Sequence, residues 1–236
     1  KMTQPFILRR LKTDPSIVPD LPDKIESKEY CLLTKEQVSL YEACLKSSLG
    51  EIENSEGIAR KGKVLTLLLH LKQICNHPAH YLKELKPSTN ASKAVNSASN
   101  GFIDYRRSGK LKRLWTLMEE IFDQNEKVLL FTQYKEMGSL LKKMLSESFS
   151  DSLCFYHGGL ARKKRDEMIC NFQENQNVKL MILSLKAGGI GLNLTAANHV
   201  FHVDRWWNPA VENQATDRAF RIGQKKNVHV HKMICT

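Results

Sequence analysis

Two arginines near the carboxyl end of the chain have the type and spacing of a phosphate-binding pair. Arg218 and Arg221 lie three residues apart, and Asp217 directly precedes the first of them. A helix that continues to Ile222 would place Gln214 and both arginines on one face. A guanidinium group that a nearby carboxylate holds in place can bind a phosphate or carboxylate well. It is planar and donates two parallel hydrogen bonds to a pair of anionic oxygens. An R-x-x-R pattern alone would instead favour a solvated, salt-bridged helix.

A glycine-rich turn is the second candidate for phosphate binding. It follows an apolar run in SLKAGGIGLNLTAAN (184–198) and contains Gly188, Gly189 and Gly191. Glycines let backbone N–H groups approach a phosphate closely. Such turns are structural about as often as they bind phosphate. This turn therefore supports phosphate binding only together with the motifs around it.

The stretch GIARKGKV (57–64) matches a phosphate loop incompletely. Gly57, Gly62 and Lys63 fit G-x-x-x-x-G-K, but Val64 stands where a Ser or Thr hydroxyl would hold magnesium. The stretch also opens a helical segment with no strand before it, and no D-E-x-H motif occurs. We therefore interpret it as a coincidence or a basic patch, which excludes a complete small NTPase.

The composition describes a globular and strongly basic protein. The 236 residues are 42% hydrophobic and 26% charged, with no signal peptide and no apolar run of about 18 residues. The formal net charge of +11 is concentrated in clusters at 60–63, 106–113 and 162–165. Such clusters attract nucleic acid, although each alone is more often a solvated face. The six cysteines form no C-x-x-C pair, which indicates reduced thiols inside a cell.

Five short apolar runs predict strands, and helix-like stretches lie between the first three. The runs are 127–134, 152–158, 179–185, 199–204 and 228–234. This alternation predicts an α/β fold with a doubly wound parallel sheet that is covered on both faces. Ligands of such sheets gather at the carboxyl ends of the strands, so the polar residues just after each run become candidates.

The residues before this region predict a different organisation. Residues 1–33 form an extended lead with one strand-like run, and 34–84 are helical, beginning with a capping box at Thr34. The second helix, VLTLLLHLKQIC, is apolar nearly all round, which predicts burial. Residues 85–107 predict a flexible surface loop, and 108–236 the α/β lobe. Because the chain lacks an initial Met and ends after an apolar run, we expect a piece of a longer protein.

Several motifs follow one another in order along nearly the whole chain. They are PFILRR, LPDKIE, LKQICNHP, LLFTQY, YHGGLARKKR, SLKAGGIGLNLT, DRWWNPAVE and QATDRAFRIGQ. Together they resemble the motifs of the Swi/Snf-type DNA translocases, within the superfamily-two helicases. The last motif ends R-I-G-Q, whereas the related RNA helicases usually end in G-R-x-G-R, which favours the Swi/Snf branch.

This resemblance implies the second of two RecA-like ATPase lobes, with 34–84 as a helical protrusion and 1–33 as the lead from an absent first lobe. In that family the first lobe holds ATP and Mg²⁺, so this chain alone would be inactive. Arg218 and Arg221 would act as arginine fingers on the γ-phosphate of ATP. The other residues on the nucleotide side would be Gly189, Gly191, Gln214 and Asp217.

The resemblance also implies double-stranded DNA as a partner, gripped through its phosphates. The candidates for this contact are Thr132, Gln133, His157, Gly158, Ser184, Lys186, Arg205 and Trp207. The same resemblance implies a monomer without membrane contact. It would work inside the cell, in the cytoplasm or nucleoid of a prokaryote or in the nucleus of a eukaryote.

Two other interpretations compete with this one. A non-catalytic basic DNA-binding module would explain the charge equally well, but it would have no use for two arginines at a lobe interface. A metal site formed by His70, Cys75, His77 and His80 would need the irregular spacing H-x4-C-x-H-x2-H. Zinc sites usually show paired, regular spacings, so we expect no metal.

Overall fold

Six strands and seven α-helices make up the described part of the chain, which in this computed structural model is residues 21–84, 103–147, 149, 153–187 and 191–236. The strands are β1 (Lys24–Cys31), β2 (Val128–Thr132), β3 (Cys154–Tyr156), β4 (Leu180–Ser184), β5 (His199–His202) and β6 (Val228–Cys235). The helices are α1 (Lys35–Glu53), α2 (Gly57–Asn76), α3 (Pro78–Tyr81), α4 (Gly109–Asp123), α5 (Lys135–Ser146), α6 (Arg162–Glu174) and α7 (Pro209–Thr216). Among these described helices, none combines the length and apolarity needed to cross a membrane.

The strands form one sheet in the order β1-β6-β5-β2-β4-β3, and every neighbouring pair is parallel. Side chains of β2 alternate between two cores, as a strand must when both of its faces are covered. Val128 and Leu130 belong to the core under α4 and α5, whereas Leu129 and Phe131 belong to the core that contains Phe172 of α6. The predicted α/β fold with a parallel sheet covered on both faces is confirmed.

The direction of sheet growth changes at β2. Strand β4 pairs with one side of β2 and β5 with the other, although β4 and β5 are consecutive in the chain. Doubly wound sheets bind ligands at such a switch point, beyond the carboxyl ends of the strands. The loops after β2, β4 and β5 are therefore neighbours at one edge of the sheet.

The strand-like run of the lead becomes the edge strand of this sheet. Strand β1 pairs with β6 over its whole length, from Lys24 opposite Val228 to Cys31 opposite Cys235. Residues 1–20 lie outside the described residues. The domain boundaries expected from the sequence stay predictions.

The protrusion consists of α1, α2 and α3. Its capping box is present, with Thr34 accepting from Gln37 N and the Gln37 side chain accepting from Thr34 N. Burial of α2 on all sides was a wrong expectation, because Leu65 is 60% exposed and Leu69 46% exposed. Helix α2 has α1 as its main partner, so its buried apolar residues Leu67, Leu71 and Ile74 form a single stripe. The stretch 57–64 forms the start of α2.

The end of the predicted loop is packed against the protrusion. Ile103 is buried, and Tyr105–Arg107 form a 3-10 turn. Arg107 bonds both Glu36 and Glu84 at 2.7 Å. Residues 85–102 of the predicted loop lie outside the described residues.

Buried histidines connect β5 to its neighbours. His199 Nε2 lies 2.6 Å from Glu126 Oε2, and its Nδ1 lies 3.2 Å from His231 Nε2. His202 Nε2 lies 2.9 Å from Thr216 Oγ1, while its Nδ1 has no hydrogen-bond partner among the described residues. Burial lowers the pKa of His199 and of His202 to about 4.

We expect the free energy of unfolding to fall as the pH drops from about 6.5 to about 4. In this window the unfolded chain binds more protons, because both histidines have folded pKa values below their unfolded ones. His202→Gln removes one such group and should reduce the loss of stability between pH 7 and pH 5 by about 2 kcal/mol. Urea unfolding at the two pH values measures this. His70→Gln, on the protrusion, controls for the loss of a histidine, and an unchanged slope in His202→Gln would contradict the assignment.

Candidate nucleotide and nucleic-acid interface

The carboxyl edge of the sheet brings together residues from four motifs. Thr132 at the end of β2 lies in register with Ser184 at the end of β4, and β5 and β3 flank this pair. The loops after β3, β4, β2 and β5 therefore follow one another along the edge. Most of the residues predicted from the sequence to contact nucleic acid lie in these loops.

A buried carboxylate holds the centre of this edge. Asp204 Oδ2 accepts from Thr132 Oγ1 at 2.5 Å, and its Oδ1 accepts from Gln133 N at 2.8 Å. Asn76 of α2 donates its Nδ2 to Oδ2 at 3.4 Å and accepts from Lys110 Nζ at 2.8 Å. Burial raises the pKa of Asp204, and the hydrogen bonds from Thr132 and Gln133 oppose that rise. Thr132 is fully buried in this network, so it supports the edge from inside.

The protrusion contacts the loop after β5 through Lys72. Its Nζ donates to Arg205 O at 2.9 Å and lies 4.4 Å from the centre of the Trp207 ring. Burial lowers the pKa of Lys72, which the Asp204 charge partly offsets. Trp207 is 64% exposed, so its ring is held from one side and open on the other.

Arg205 is tied to α7 by an ion pair. Its Nε donates to both carboxylate oxygens of Glu212, at 2.8 and 3.1 Å, and Trp206 N donates to Glu212 Oε1 at 2.8 Å. Burial alone would raise the pKa of Glu212, but these hydrogen bonds lower it. Trp206 packs against the core, which leaves Trp207 as the exposed tryptophan of the pair.

Helix α7 begins as the sequence predicts and ends earlier. Asn208 accepts from Ala210 N at 3.0 Å, and Pro209 is the first helical residue. The helix stops at Thr216, so the expected continuation to Ile222 is wrong. The next residues form turns, and the long polar side chains after Thr216 do not continue the face of α7.

Gln224 holds the turn that follows α7. Its Nε2 donates to Ala197 O at 2.8 Å and to Ala219 O at 3.2 Å, which ties the turn after α7 to the segment before β5. Ala219 and Phe220 are buried in the core on this side.

The two arginines lie in different environments. Arg218 is 7% exposed, and Arg221 is exposed. Arg221 Nη1 donates to the carbonyls of Gly191 and Leu192, each at 3.3 Å. Burial lowers the pKa of Arg218 and the Arg221 charge lowers it further, whereas Asp217 opposes both effects. The turn after β4 and the turn after α7 are thus in direct contact.

The remaining predicted nucleotide-side residues have distinct positions. Gly191 has φ +28, a backbone conformation that other residues rarely adopt, and is exposed. Gln214 is exposed on α7, and Asp217 is half-exposed. Gly189 lies outside the described residues, so its position stays a prediction.

The remaining nucleic-acid candidates lie at the surface of the edge. Gly158 and Lys186 are exposed, and His157 and Gln133 are half-exposed. His157 Nδ1 accepts from Gly159 N at 3.1 Å, which fixes the ring beside its strand. Burial lowers the pKa of His157, and the nearby Lys135 charge acts in the same direction.

Sequence reasoning missed four residues that hold this interface together: Asp204, Asn76, Lys72 and Glu212. Asp204 carried a usable signal, since it directly follows an apolar strand. Asn76 and Lys72 lie in a helix far from the sheet in sequence, where nothing local indicates their partners. His77, once considered as a metal ligand, caps α3 by accepting from Ala79 N at 3.0 Å.

Family models match two parts of the chain. Residues 109–223 match the helicase conserved C-terminal domain, and residues 1–80 match the SNF2-related domain. A Bacillus subtilis protein, described as the putative ATP-dependent helicase/translocase YwqA, is 48% identical over all 236 residues. The chain spans only 24% of the length of that relative.

Two solved structures from Sulfolobus solfataricus are similar over nearly the whole chain. The C-terminal domain of its SWI2/SNF2 ATPase is 41% identical with a TM-score of 0.72, covering 91% of this chain and 80% of that one. Its SWI2/SNF2 ATPase core in complex with double-stranded DNA is 42% identical with a TM-score of 0.75, covering 99% of this chain and 45% of that one.

The fold and the edge residues define the carboxyl-terminal, RecA-like lobe of a helicase-like ATPase. The chain belongs to the SWI2/SNF2 ATPase family. The resemblance drawn from the sequence motifs and the predicted RecA-like fold are both confirmed.

Asp204→Ala should lower the free energy of unfolding by about 3 kcal/mol, because it leaves buried donors of Thr132 and Gln133 without an acceptor. Asp204→Asn retains an acceptor oxygen and should be milder. Urea denaturation measures both. Asp123→Ala, at the exposed end of α4, is the matched control and should change stability by less than about 0.5 kcal/mol. If Asp204→Ala were as mild as this control, the carboxylate would not organise the edge.

Proposed function

We propose that this chain is the second ATPase lobe of an ATP-dependent translocase that moves along double-stranded DNA. The observation that carries the proposal is the contact between Arg221 and the turn at Gly191, which joins the segment after α7 to the segment after β4. The relatives support the choice of ligands, since one is described as an ATP-dependent helicase/translocase and another was solved with double-stranded DNA.

Arg221 is the arginine whose environment best suits a phosphate. Its guanidinium is exposed and contacts two neutral carbonyls at the long distance of 3.3 Å. Charge-assisted hydrogen bonds to anionic oxygens are about twice as strong as neutral ones, so phosphate oxygens would replace these carbonyls favourably. Arg218 is buried, and the charge of Asp217 opposes the lowering of its pKa.

ATP and Mg²⁺ would be held mainly by a first lobe of the same polypeptide, and the bound nucleotide supplies the phosphoryl group that is transferred to water. This chain would complete that site by closing on it. Arg221 and Arg218 would stabilise the negative charge that develops on the γ-phosphoryl oxygens. Around them, we place Gly189, Gly191 and Gln214 on the nucleotide side.

The exposed loops of the same edge would grip a DNA strand through its phosphates. Lys186 supplies an exposed cation, and Gly158 exposes its backbone beside His157. Ser184 at the end of β4 and Gln133 after β2 are half-exposed, and Trp207 offers an open ring after β5. Arg205 retains the guanidinium nitrogens that Glu212 does not engage. Thr132 would act through Asp204, because its hydroxyl is buried.

Closure on ATP and release after hydrolysis would then move the gripped strand stepwise. The protein would act as a monomer, and its DNA substrate would place it inside the cell, in the nucleoid or the nucleus. A basic DNA-binding module without catalysis is the competing function. The contact between the Arg221 turn and the Gly191 turn favours the ATPase lobe, because a simple binder needs no such arrangement.

Binding of residues 1–236 to duplex DNA should weaken steeply with salt and show no sequence preference. We expect a plot of log K against log salt with a slope of about −3 or steeper. Lys186→Ala should reduce the magnitude of this slope by about 1. Lys46→Ala, an exposed cation on α1, is the matched control and should leave the slope unchanged. A flat plot for the unmodified chain would refute DNA binding.

In a protein that contains both lobes, Arg221→Ala should reduce ATP hydrolysis by about 10³-fold or more and leave DNA affinity nearly unchanged. Arg218→Ala should also abolish hydrolysis, and because Arg218 is buried it should in addition lower stability. Arg221→Lys should rescue little, since an ammonium lacks the bidentate fork.

Steady-state hydrolysis and DNA affinity, measured on the same variants, separate the two functions. Lys225→Ala removes an exposed cation four residues further on and should change neither quantity by more than about two-fold. If Arg221→Ala lost DNA affinity and kept its basal hydrolysis, the arginine would face DNA. If a variant with both Arg218→Ala and Arg221→Ala still hydrolysed ATP at the normal rate, the proposed catalytic role would be wrong.

A further inference from the structure

Three of the six cysteines meet where the protrusion rests on the edge of the sheet. Cys75 is in the last turn of α2, Cys235 ends β6, and Cys31 lies in register with Cys235 at the end of β1. Cys75 and Cys235 line a common cavity of about 280 Å³, together with Lys72 and Asp204. Cysteines that are scattered in the sequence are thus brought together by the fold.

The Cys235 thiol points at Cys75. Its Sγ donates to Cys75 O at 3.4 Å. The proximity of the two thiols lowers the pKa of Cys235 and raises that of Cys75, and the charge of Lys110 favours ionisation of both. The lowered pKa favours the thiolate form of Cys235, and a thiolate is the form that reacts with oxidants.

We propose that Cys75 and Cys235 form an oxidation site that reacts with a hydroperoxide and closes to a disulfide between α2 and β6. The Cys235 thiolate attacks the terminal oxygen of the hydroperoxide, the O–O bond breaks, and Cys235 becomes a sulfenic acid. The leaving oxygen takes up the proton that Cys235 released, which gives water or an alcohol.

The Cys75 thiol then closes the disulfide. Its sulfur attacks the sulfenic sulfur, the S–O bond breaks, and the departing hydroxide leaves as water with the proton of Cys75. The two thiols together lose two electrons, and the hydroperoxide gains them. A thiol reductant reverses the reaction by exchange.

Cys31 is the competing partner, and its surroundings disfavour it. It is 3% exposed, and its Sγ donates away from the cavity to Glu29 O at 3.4 Å. Burial raises the pKa of Cys31 to about 11. It does not line the cavity through which a hydroperoxide would reach Cys235.

The disulfide would fasten the protrusion to the lobe. Cys75 directly precedes Asn76, whose amide bonds Asp204. A covalent link at this point would restrain α2 against the edge of the sheet. The chemistry of the site does not depend on the function proposed for that edge.

The test uses the protein in a Cys170→Ser background, since Cys170 is exposed and would join molecules to one another. After treatment with stoichiometric hydrogen peroxide and alkylation, a non-reducing digest should contain a peptide pair linked through residues 75 and 235. The intact mass should fall by about 2 Da, and dithiothreitol should reverse this. Closing so long a loop should raise Tm by about 10 °C.

Two further variants make the outcome decisive. Cys75→Ser should stop at the sulfenic acid of Cys235, which dimedone traps, whereas Cys154→Ser should still form the linked pair. A link between residues 31 and 235 would overturn the proposal. So would peroxide consumption with no linked pair, or no reaction of Cys235 at all.

Discussion

The hydrogen bonds to the Asp204 carboxylate are the constraint on which the rest of the interface depends. A buried carboxylate is tolerated only when its oxygens are hydrogen-bonded, and Asp204 receives donors from the Thr132 hydroxyl and the Gln133 backbone. Those donors belong to the end of β2, and Asn76 brings a third from the protrusion. One carboxylate thus fixes three chain segments relative to one another. The edge that would meet a ligand is organised by a group that the ligand need not touch.

The protrusion is therefore part of the interface. Lys72 and Asn76 lie four residues apart on α2 and share one face of it. Asn76 donates a hydrogen bond to Asp204 at the beginning of the loop after β5. Lys72 contacts the next part of that loop, at the Arg205 carbonyl and the Trp207 ring. The same helix face therefore contacts the loop after β5 at two places.

Local patterns predicted what local interactions determine. The apolar runs of the sheet and the start of α7 at Asn208 and Pro209 were visible in the sequence, because burial and helix capping act within a few residues. The turn after α7 was not, and it contains Gln224, which bonds a carbonyl 27 residues away. The same holds for Asn76 and Asp204, which are 128 residues apart. Pairs of this kind are set by the assembled fold, and no window of sequence contains both partners.

The early end of α7 also places the two arginines in different environments. A continued helix would have exposed both on one face, where water would screen their repulsion. The turn instead buries Arg218 and leaves Arg221 at the surface, close enough for the charge of Arg221 to lower the pKa of Arg218. Asp217 offsets part of this repulsion. An anionic oxygen bound beside Arg221 would relieve the remainder, because it attracts both guanidinium groups at once. The repulsion within the pair would therefore favour the binding of an anion in the proposed role.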